Sequence, residues 1–166
     1  MNVQNVGRVY IGIDPGLTGA VSAIDENYNV LGLVDTPTIK SGGKTLYDVA
    51  EMAATLRRFG LMGEPIAILE AVAARPGQGV TSMFSIGRGY GVWQGVLSTL
   101  EIPFREVHPA TWTRAVLKGA PGTGRERSIA FATKMFPGAE LVPLGCRKPR
   151  DGRADALCLA YWRIKS

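Results

Sequence analysis

The 166-residue chain carries a net charge of +5, and 46% of its residues are hydrophobic. This apolar content excludes an intrinsically disordered chain, and the length suffices for one domain with its own core, which we place over residues 1–166. No apolar run approaches the 18 residues of a membrane span, no secretory signal pattern opens the sequence, and only two cysteines occur. We therefore expect a cytoplasmic protein without a membrane partner.

The apolar pattern predicts five strands and five helices that alternate after an initial run of strands. The strands cover residues 8–13, 19–24, 29–35, 66–69 and 104–107. The helices cover residues 45–59, 79–100, 109–118, 125–135 and 151–164. Residues 36–44 and 119–124 are predicted as loops, and residues 136–150 as an irregular basic segment. The order resembles that of an α/β ribonuclease H-like domain, a five-stranded mixed sheet flanked by helices in which the first and fourth strands are neighbours.

Four carboxylates stand where such a sheet would bring them together. Asp14 closes the first strand and precedes the turn Pro15-Gly16, and Glu70 closes the fourth strand. Both fall at the strand ends where α/β folds place their active sites. Asp151 and Asp155 are one helical turn apart at the start of the last helix, so they share a face. Each alone is also a common turn or capping residue, and the prediction of one site depends on all four.

A cluster of carboxylates requires cations, because like charges repel and raise one another's pKa. Oxygen-only ligands suit Mg²⁺, with Mn²⁺ as a substitute. Two such ions about 4 Å apart can hold the attacking water and the leaving oxygen of a phosphoryl displacement. The sequence therefore predicts a metal-dependent enzyme for phosphate esters, with two Mg²⁺ ions per site held by the catalytic carboxylates Asp14, Glu70, Asp151 and Asp155.

The positive charge is concentrated in one segment of the chain. Residues 118–153 contain eight basic and three acidic residues, which accounts for the whole net charge. This placement favours a polyanionic partner, although a solvated basic surface gives the same pattern. The candidate DNA-binding side chains fall in or near loops beyond the strand ends, where cations can contact phosphates. They are Arg75, Gln78, Arg88, Arg114, Lys118, Arg125 and Arg127.

Two further features are open to more than one interpretation. Gly87, Gly91 and Gly95 leave one face of the second predicted helix without side chains. Because each mid-helix glycine costs about 1 kcal/mol relative to alanine, we expect this face to serve helix packing, a dimer contact or approach to DNA. His108, which precedes Pro109, fits either a catalytic role or a capping or structural one.

Five stretches, taken in order, resemble the motifs of RuvC-type Holliday junction resolvases. They are IGIDPGLTGA, ILEAV, SMFSIGRGYGVWQG, HPATWTRAVLKGAPGTGRERS and RDGRADALCLAYW, and they cover nearly the whole chain. The spacing of four between Asp151 and Asp155 is similar to that of phage-encoded and chloroplast members. In the bacterial housekeeping enzymes the spacing is usually three, which would place the first carboxylate at position 152.

The resemblance implies a homodimeric, Mg²⁺-dependent crossover junction endodeoxyribonuclease, from a bacterial or phage-infected cell or an organelle, that nicks two opposed strands of a four-way DNA junction. It carries the catalytic carboxylates over to the four acids named above, and the flanking basic positions to Arg114 and Arg127. The bacterial enzymes have an aromatic wedge after the glutamate, where this chain has Ala73. The remaining candidates for that role are Arg75, Gln78, Met83 and Phe84.

Other classes fit parts of the pattern. GIDPGLTGA also resembles the phosphate-binding turn of actin-like kinases and ATPases, but those proteins need two such domains. A ribonuclease H-like nuclease acting on other branched DNA or RNA is a second alternative. A non-catalytic junction-binding module is a third, and the retained carboxylates argue against it because they would repel DNA.

Overall fold

The computed structural model describes residues 7–73 and 77–166. The strands are β1 (Arg8–Asp14), β2 (Ala20–Ile24), β3 (Val30–Asp35), β4 (Thr38–Ser41), β5 (Lys44–Tyr47), β6 (Glu64–Glu70) and β7 (Phe104–Val107). The helices are α1 (Val49–Gly60), α2 (Val80–Thr99), α3 (Pro109–Val116), α4 (Arg125–Met135) and α5 (Asp151–Lys165). None of the described helices has both the length and the apolar character to cross a membrane.

Five strands form one mixed sheet in the order β3-β2-β1-β6-β7. The first three are antiparallel, whereas β1–β6 and β6–β7 are parallel pairs. The predicted adjacency of the first strand and the strand ending at Glu70 is therefore confirmed, as is the ribonuclease H-like α/β architecture. Because β1 lies at the centre of the sheet, its apolar residues are buried on both faces, and Ile11 and Ile13 are fully covered.

Helices cover both faces of this sheet. On one face, α1 and α2 pack through Met52, Leu56, Trp93 and Leu97. On the other face, α5 lies across β1 and β2, with α4 beside it. Gly12 permits the close approach of α5, because a Cβ at that position would overlap the Ala156 carbonyl oxygen. The start of α5 is thus held near the carboxyl end of β1.

The structure corrects the sequence prediction between residues 36 and 48. In place of the predicted loop and first helical turns, β4 and β5 form a separate two-stranded hairpin, and α1 begins only at Val49. Gly42 and Gly43 close the hairpin with positive φ angles of 53° and 73°, which suit a two-residue hairpin turn. Asp48 then caps α1 by accepting from the Glu51 N–H at 3.0 Å.

Candidate active site

The four predicted carboxylates line a single cavity of about 510 Å³ at one edge of the sheet. Asp14 and Glu70 end neighbouring parallel strands, directly after the register pair Ile13 and Leu69. Asp151, in the first turn of α5, and Asp155, one turn further along the helix, enter the cavity from the other side. The convergence that the sequence predicted is therefore present in the fold.

Gly152 allows the start of α5 to approach β1 closely enough for this convergence. A Cβ at position 152 would lie 2.7 Å from the Thr18 carbonyl oxygen, 2.8 Å from the Gly19 Cα and 3.0 Å from Asp14 Oδ2. These distances are shorter than ordinary contacts and involve backbone that cannot move freely. A carboxylate three residues before Asp155 has no room in this backbone, which accounts physically for the spacing of four.

The carboxylates are partly buried, and their negative charges affect one another. Burial first, and then the charges of Glu70 and Asp155, raise the pKa of Asp14 to about 7. Burial, followed by the charges of Glu70 and Asp151, raises the pKa of Asp155 to about 7, against a lowering hydrogen bond with Ser128. Without cations, Asp14 and Asp155 are therefore each partly protonated near neutral pH.

Two partners of these carboxylates were not foreseen from the sequence. The Trp112 indole N–H on α3 donates to Glu70 Oε1 at 2.8 Å, and Arg125 Nε lies 3.0 Å from Asp151 Oδ2. The signal for the first contact is general, because a buried indole N–H such as that of Trp112 usually requires an acceptor. Arg125 was predicted to contact DNA, but here it neutralises a site carboxylate.

The four carboxylates are oxygen donors of the kind that divalent cations prefer, but their side chains are too far apart in this structure to hold one ion. Among the described residues, no group of three or more His, Cys, Asp or Glu side chains is close enough to hold one metal ion as the side chains stand. All four donors are nevertheless carboxylates around one cavity, and a cation placed among them would favour the charged forms of Asp14 and Asp155. Arg125 contacts Asp151 as a cation would, and its side chain is 83% exposed and can move away.

A basic cleft adjoins the carboxylate cavity. Arg114, Lys118 and Arg127 line this cleft of about 770 Å³, and Thr113 and Arg127 line both spaces. The Arg127 guanidinium donates to the Leu117 carbonyl oxygen, which fixes its position. The structure therefore places two of the predicted DNA-binding residues, Arg125 and Arg127, at the carboxylate cavity, and two more, Arg114 and Lys118, in the adjoining cleft.

The other predicted residues lie elsewhere. Arg88 is exposed on α2 and does not line the carboxylate cavity. Gln78 lines a separate space of about 240 Å³ together with Ala73 and Met83. Arg75 lies outside the described residues. His108 is exposed at the N-cap of α3, and its side chain makes no capping hydrogen bond, so the capping interpretation is wrong.

The glycine face of α2, formed by Gly87, Gly91 and Gly95, is open. A Cβ at any of these three positions would meet nothing within 4 Å among the described residues. Packing within the described part of the chain therefore does not explain the face, and contact with a second subunit or with DNA remains. Gly89 has a different role, because a Cβ there would overlap the Tyr47 ring.

The sheet order, the flanking helices and the acidic cavity define a ribonuclease H-like fold of the RuvC type. Thermus thermophilus RuvC in complex with a Holliday junction substrate has a TM-score of 0.63 and 15% identity, covering 93% of this chain and 91% of that chain. A second Thermus thermophilus RuvC structure has a TM-score of 0.57 and 17% identity, covering 93% of this chain and 92% of that chain. The yeast mitochondrial Holliday junction resolvase Ydc2 has a TM-score of 0.53 and 13% identity, covering 97% of this chain and 78% of that chain. Neither a protein-family model nor a curated protein matches the chain.

Proposed function

We propose that this protein is a divalent-metal-dependent endonuclease that resolves four-way DNA junctions by paired nicks. The observation that carries the proposal is the single acidic cavity, with a basic cleft beside it, in a fold shared with a RuvC solved on a Holliday junction. Oxygen ligands, cations for phosphates and an open edge of the sheet together suit hydrolysis of a phosphodiester.

In this proposal, Asp14, Glu70, Asp151 and Asp155 would hold two Mg²⁺ ions, with Mn²⁺ as a substitute. Bound cations would supply Lewis-acid activation of water and stabilise the charge on the leaving oxygen. The Trp112 indole orients Glu70, and the narrow contact at Gly152 fixes α5 against Asp14. Arg125 neutralises Asp151 in the metal-free cavity, and its exposed side chain would be able to contact DNA if a cation replaced it beside Asp151.

The DNA backbone would lie along the basic cleft. Arg114 and Lys118 are exposed there, and Arg127 connects the cleft to the carboxylates. When such cationic side chains neutralise phosphates, counterions condensed on the DNA are released. The slope of log affinity against log salt concentration is then about −0.9 for each phosphate neutralised. Arg114→Ala is expected to flatten this slope by about 0.9. Lys148→Ala, outside the cleft, serves as the matched control and is expected to change the slope less.

The decisive assay compares Mg²⁺-dependent cleavage of a four-way junction, a Y-fork, a duplex and an RNA–DNA hybrid. Preference for the junction supports the proposal, and preference for the hybrid would favour a ribonuclease H-like activity instead. Asp14→Asn, Glu70→Gln and Asp155→Asn are expected to abolish cleavage and to retain junction binding. Asp48→Asn, which preserves a capping oxygen outside the cavity, is the control. Cleavage at the wild-type rate in any of the three variants would refute the assignment of the site.

We also propose a homodimer, because symmetric nicks in a roughly two-fold junction require a two-fold protein. The glycine face of α2 is the candidate contact, next to an apolar groove of about 390 Å³ between α1 and α2. Light scattering is expected to give twice the 17.8 kDa of one chain. Gly91→Glu is expected to give a monomer. A wild-type monomer would refute the dimer, and a dimeric Gly91→Glu variant would refute only this contact.

A further inference from the structure

The β4–β5 hairpin leaves the main sheet at the same edge as the carboxylates. Asp14 pairs with Ala20 on β2, and Ala20 pairs with Asp35 at the end of β3. Neighbouring strands are about 4.8 Å apart, so Asp35 lies roughly 10 Å from Asp14 along one row of the sheet. The hairpin begins three residues later, at Thr38.

Both ends of the hairpin are fixed to this edge. At the first end, the Thr36 N–H donates to the Gly19 carbonyl at 2.9 Å, and Arg153 Nε lies 2.7 Å from Asp35 Oδ1. At the second end, the Asp48 N–H donates to the Pro37 carbonyl at 2.9 Å, which joins the two ends to each other. The hairpin therefore has a defined origin beside the acidic cavity.

Tyr47, the last residue of β5, connects the hairpin directly to the site. Its hydroxyl lies 3.3 Å from the Pro15 carbonyl oxygen, in the turn after Asp14, and 3.3 Å from the Ser85 carbonyl oxygen on α2. The ring fills the space that Gly89 leaves empty on α2. Tyr47 is buried, so the hairpin cannot turn away from the cavity without uncovering this ring.

Beyond Tyr47, most of the hairpin is exposed, and all of its charged residues are basic. Its four-residue strand β4 is exposed throughout, and Ile39 is 45% exposed. Residues 36–47 contain Lys40 and Lys44 and no acidic residue. An isolated two-stranded hairpin gains little stability of its own, so a core role does not explain it. Lys44 is three residues from Tyr47, which places it about 10 Å from the fixed end.

We propose that the β4–β5 hairpin is a DNA-binding arm whose Lys40 and Lys44 contact backbone phosphates flanking the one that is cut. The inference deepens the proposed function and depends on it. The arm lies on the β3 side of the acidic cavity, whereas the basic cleft of Arg114 and Lys118 is built from α3 and the residues that follow it. DNA entering the cavity is then held by cations on two sides.

The test measures junction affinity in EDTA, where no cleavage occurs, over a series of salt concentrations. Lys40→Ala and Lys44→Ala are each expected to flatten the slope of log affinity against log salt by about 0.9, and the double variant by about 1.8. Lys165→Ala is the control, because it lies 14 residues along α5 from Asp151, about 21 Å away. The Lys40→Arg/Lys44→Arg variant retains the charge and is expected to retain the slope, even though Lys40 Nζ also donates to Thr45 Oγ1 at 2.5 Å.

The outcomes separate the arm from the proposed function. If the wild type binds the junction and the double alanine variant has the same slope, the arm is refuted and the nuclease proposal stands. If the arginine variant loses as much slope as the alanine variant, hairpin shape rather than charge is responsible, which also refutes the arm. If the wild type does not bind the junction at all, the proposed function itself is overturned.

Discussion

Asp14→Asn is expected to flatten the pH dependence of stability in the metal-free protein. The pKa of Asp14 is raised from 3.8 to about 7 in the folded state, with burial as the first cause. The folded state therefore binds this proton more tightly than the unfolded state. The contribution of Asp14 to the free energy of unfolding is therefore highest below about pH 4, falls as the pH rises, and levels off above about pH 7. Asparagine is neutral and of similar shape, so it removes this dependence.

The magnitude follows from the two pKa values. Between them, stability falls by about 1.4 kcal/mol for each pH unit. From about pH 5 to about pH 8, the wild type loses roughly 2.7 kcal/mol through Asp14, because the loss stops near pH 7. For a chain of this size, such a loss corresponds to a melting-temperature decrease of roughly 5–10 °C. Asp155 also has a pKa of about 7, and its charge raises the pKa of Asp14, so the variant retains part of the wild-type slope.

The assay is thermal or urea unfolding in EDTA, at about pH 5 and about pH 8, for the wild type and Asp14→Asn. The difference between the two pH values is expected to be smaller in the variant by roughly 2–3 kcal/mol. Asp48→Asn is the control, since it replaces a helix-capping carboxylate outside the cavity and is expected to leave the wild-type slope unchanged. If Asp14→Asn and the wild type show the same pH profile, the pKa of Asp14 is not raised by burial and like charges in the folded protein.

Three smaller changes test the packing around the site. In urea unfolding, Gly152→Ala is expected to lower the free energy of unfolding by about 1–3 kcal/mol through overpacking. The control is Gly138→Ala, which has open space around its Cβ and is expected to change the free energy of unfolding by no more than about 0.5 kcal/mol. Trp112→Phe removes the hydrogen-bond donor to Glu70. It is expected to slow cleavage by about 10–100-fold and to raise the Mg²⁺ concentration needed for half-maximal rate, with junction affinity unchanged. An unchanged Mg²⁺ titration would contradict this. Tyr47→Phe keeps the ring and loses one hydroxyl bond, so unfolding should be easier by about 1 kcal/mol, and no loss would mean that the hydroxyl bonds contribute nothing.

The carboxylate arrangement could be predicted because it depends on local patterns. Asp14 and Glu70 each end an apolar run, and parallel strands place such ends at one edge. Asp151 and Asp155 share a helix face through their spacing alone. These rules need no knowledge of side-chain packing, and together with the strand order implied by the resemblance to a ribonuclease H-like domain they predict the convergence of the four carboxylates.

The missed features depend on competition between patterns or on long-range contacts. Leu46 fits the apolar spacing of α1, and the helical interpretation therefore extended over a strand, although Gly42-Gly43 between two short runs is a hairpin signal. The bond from Trp112 to Glu70 joins residues 42 positions apart. Nothing in the local sequence around either residue specifies that partner, because it arises from how α3 packs beside β6.

Helix α5 has a consequence for when the protein becomes active. It contributes two of the four site carboxylates and covers the centre of the sheet, where the Ser22 hydroxyl donates to the Ala156 carbonyl oxygen across 134 residues at 2.8 Å. Contacts between such distant positions form late, because the intervening chain must first be ordered. During synthesis, one apolar face of β1 and β2 therefore remains uncovered until α5 leaves the ribosome. A partly made chain has only half of the acidic cluster, and we expect the proposed nuclease to be inert until its translation has passed Asp155.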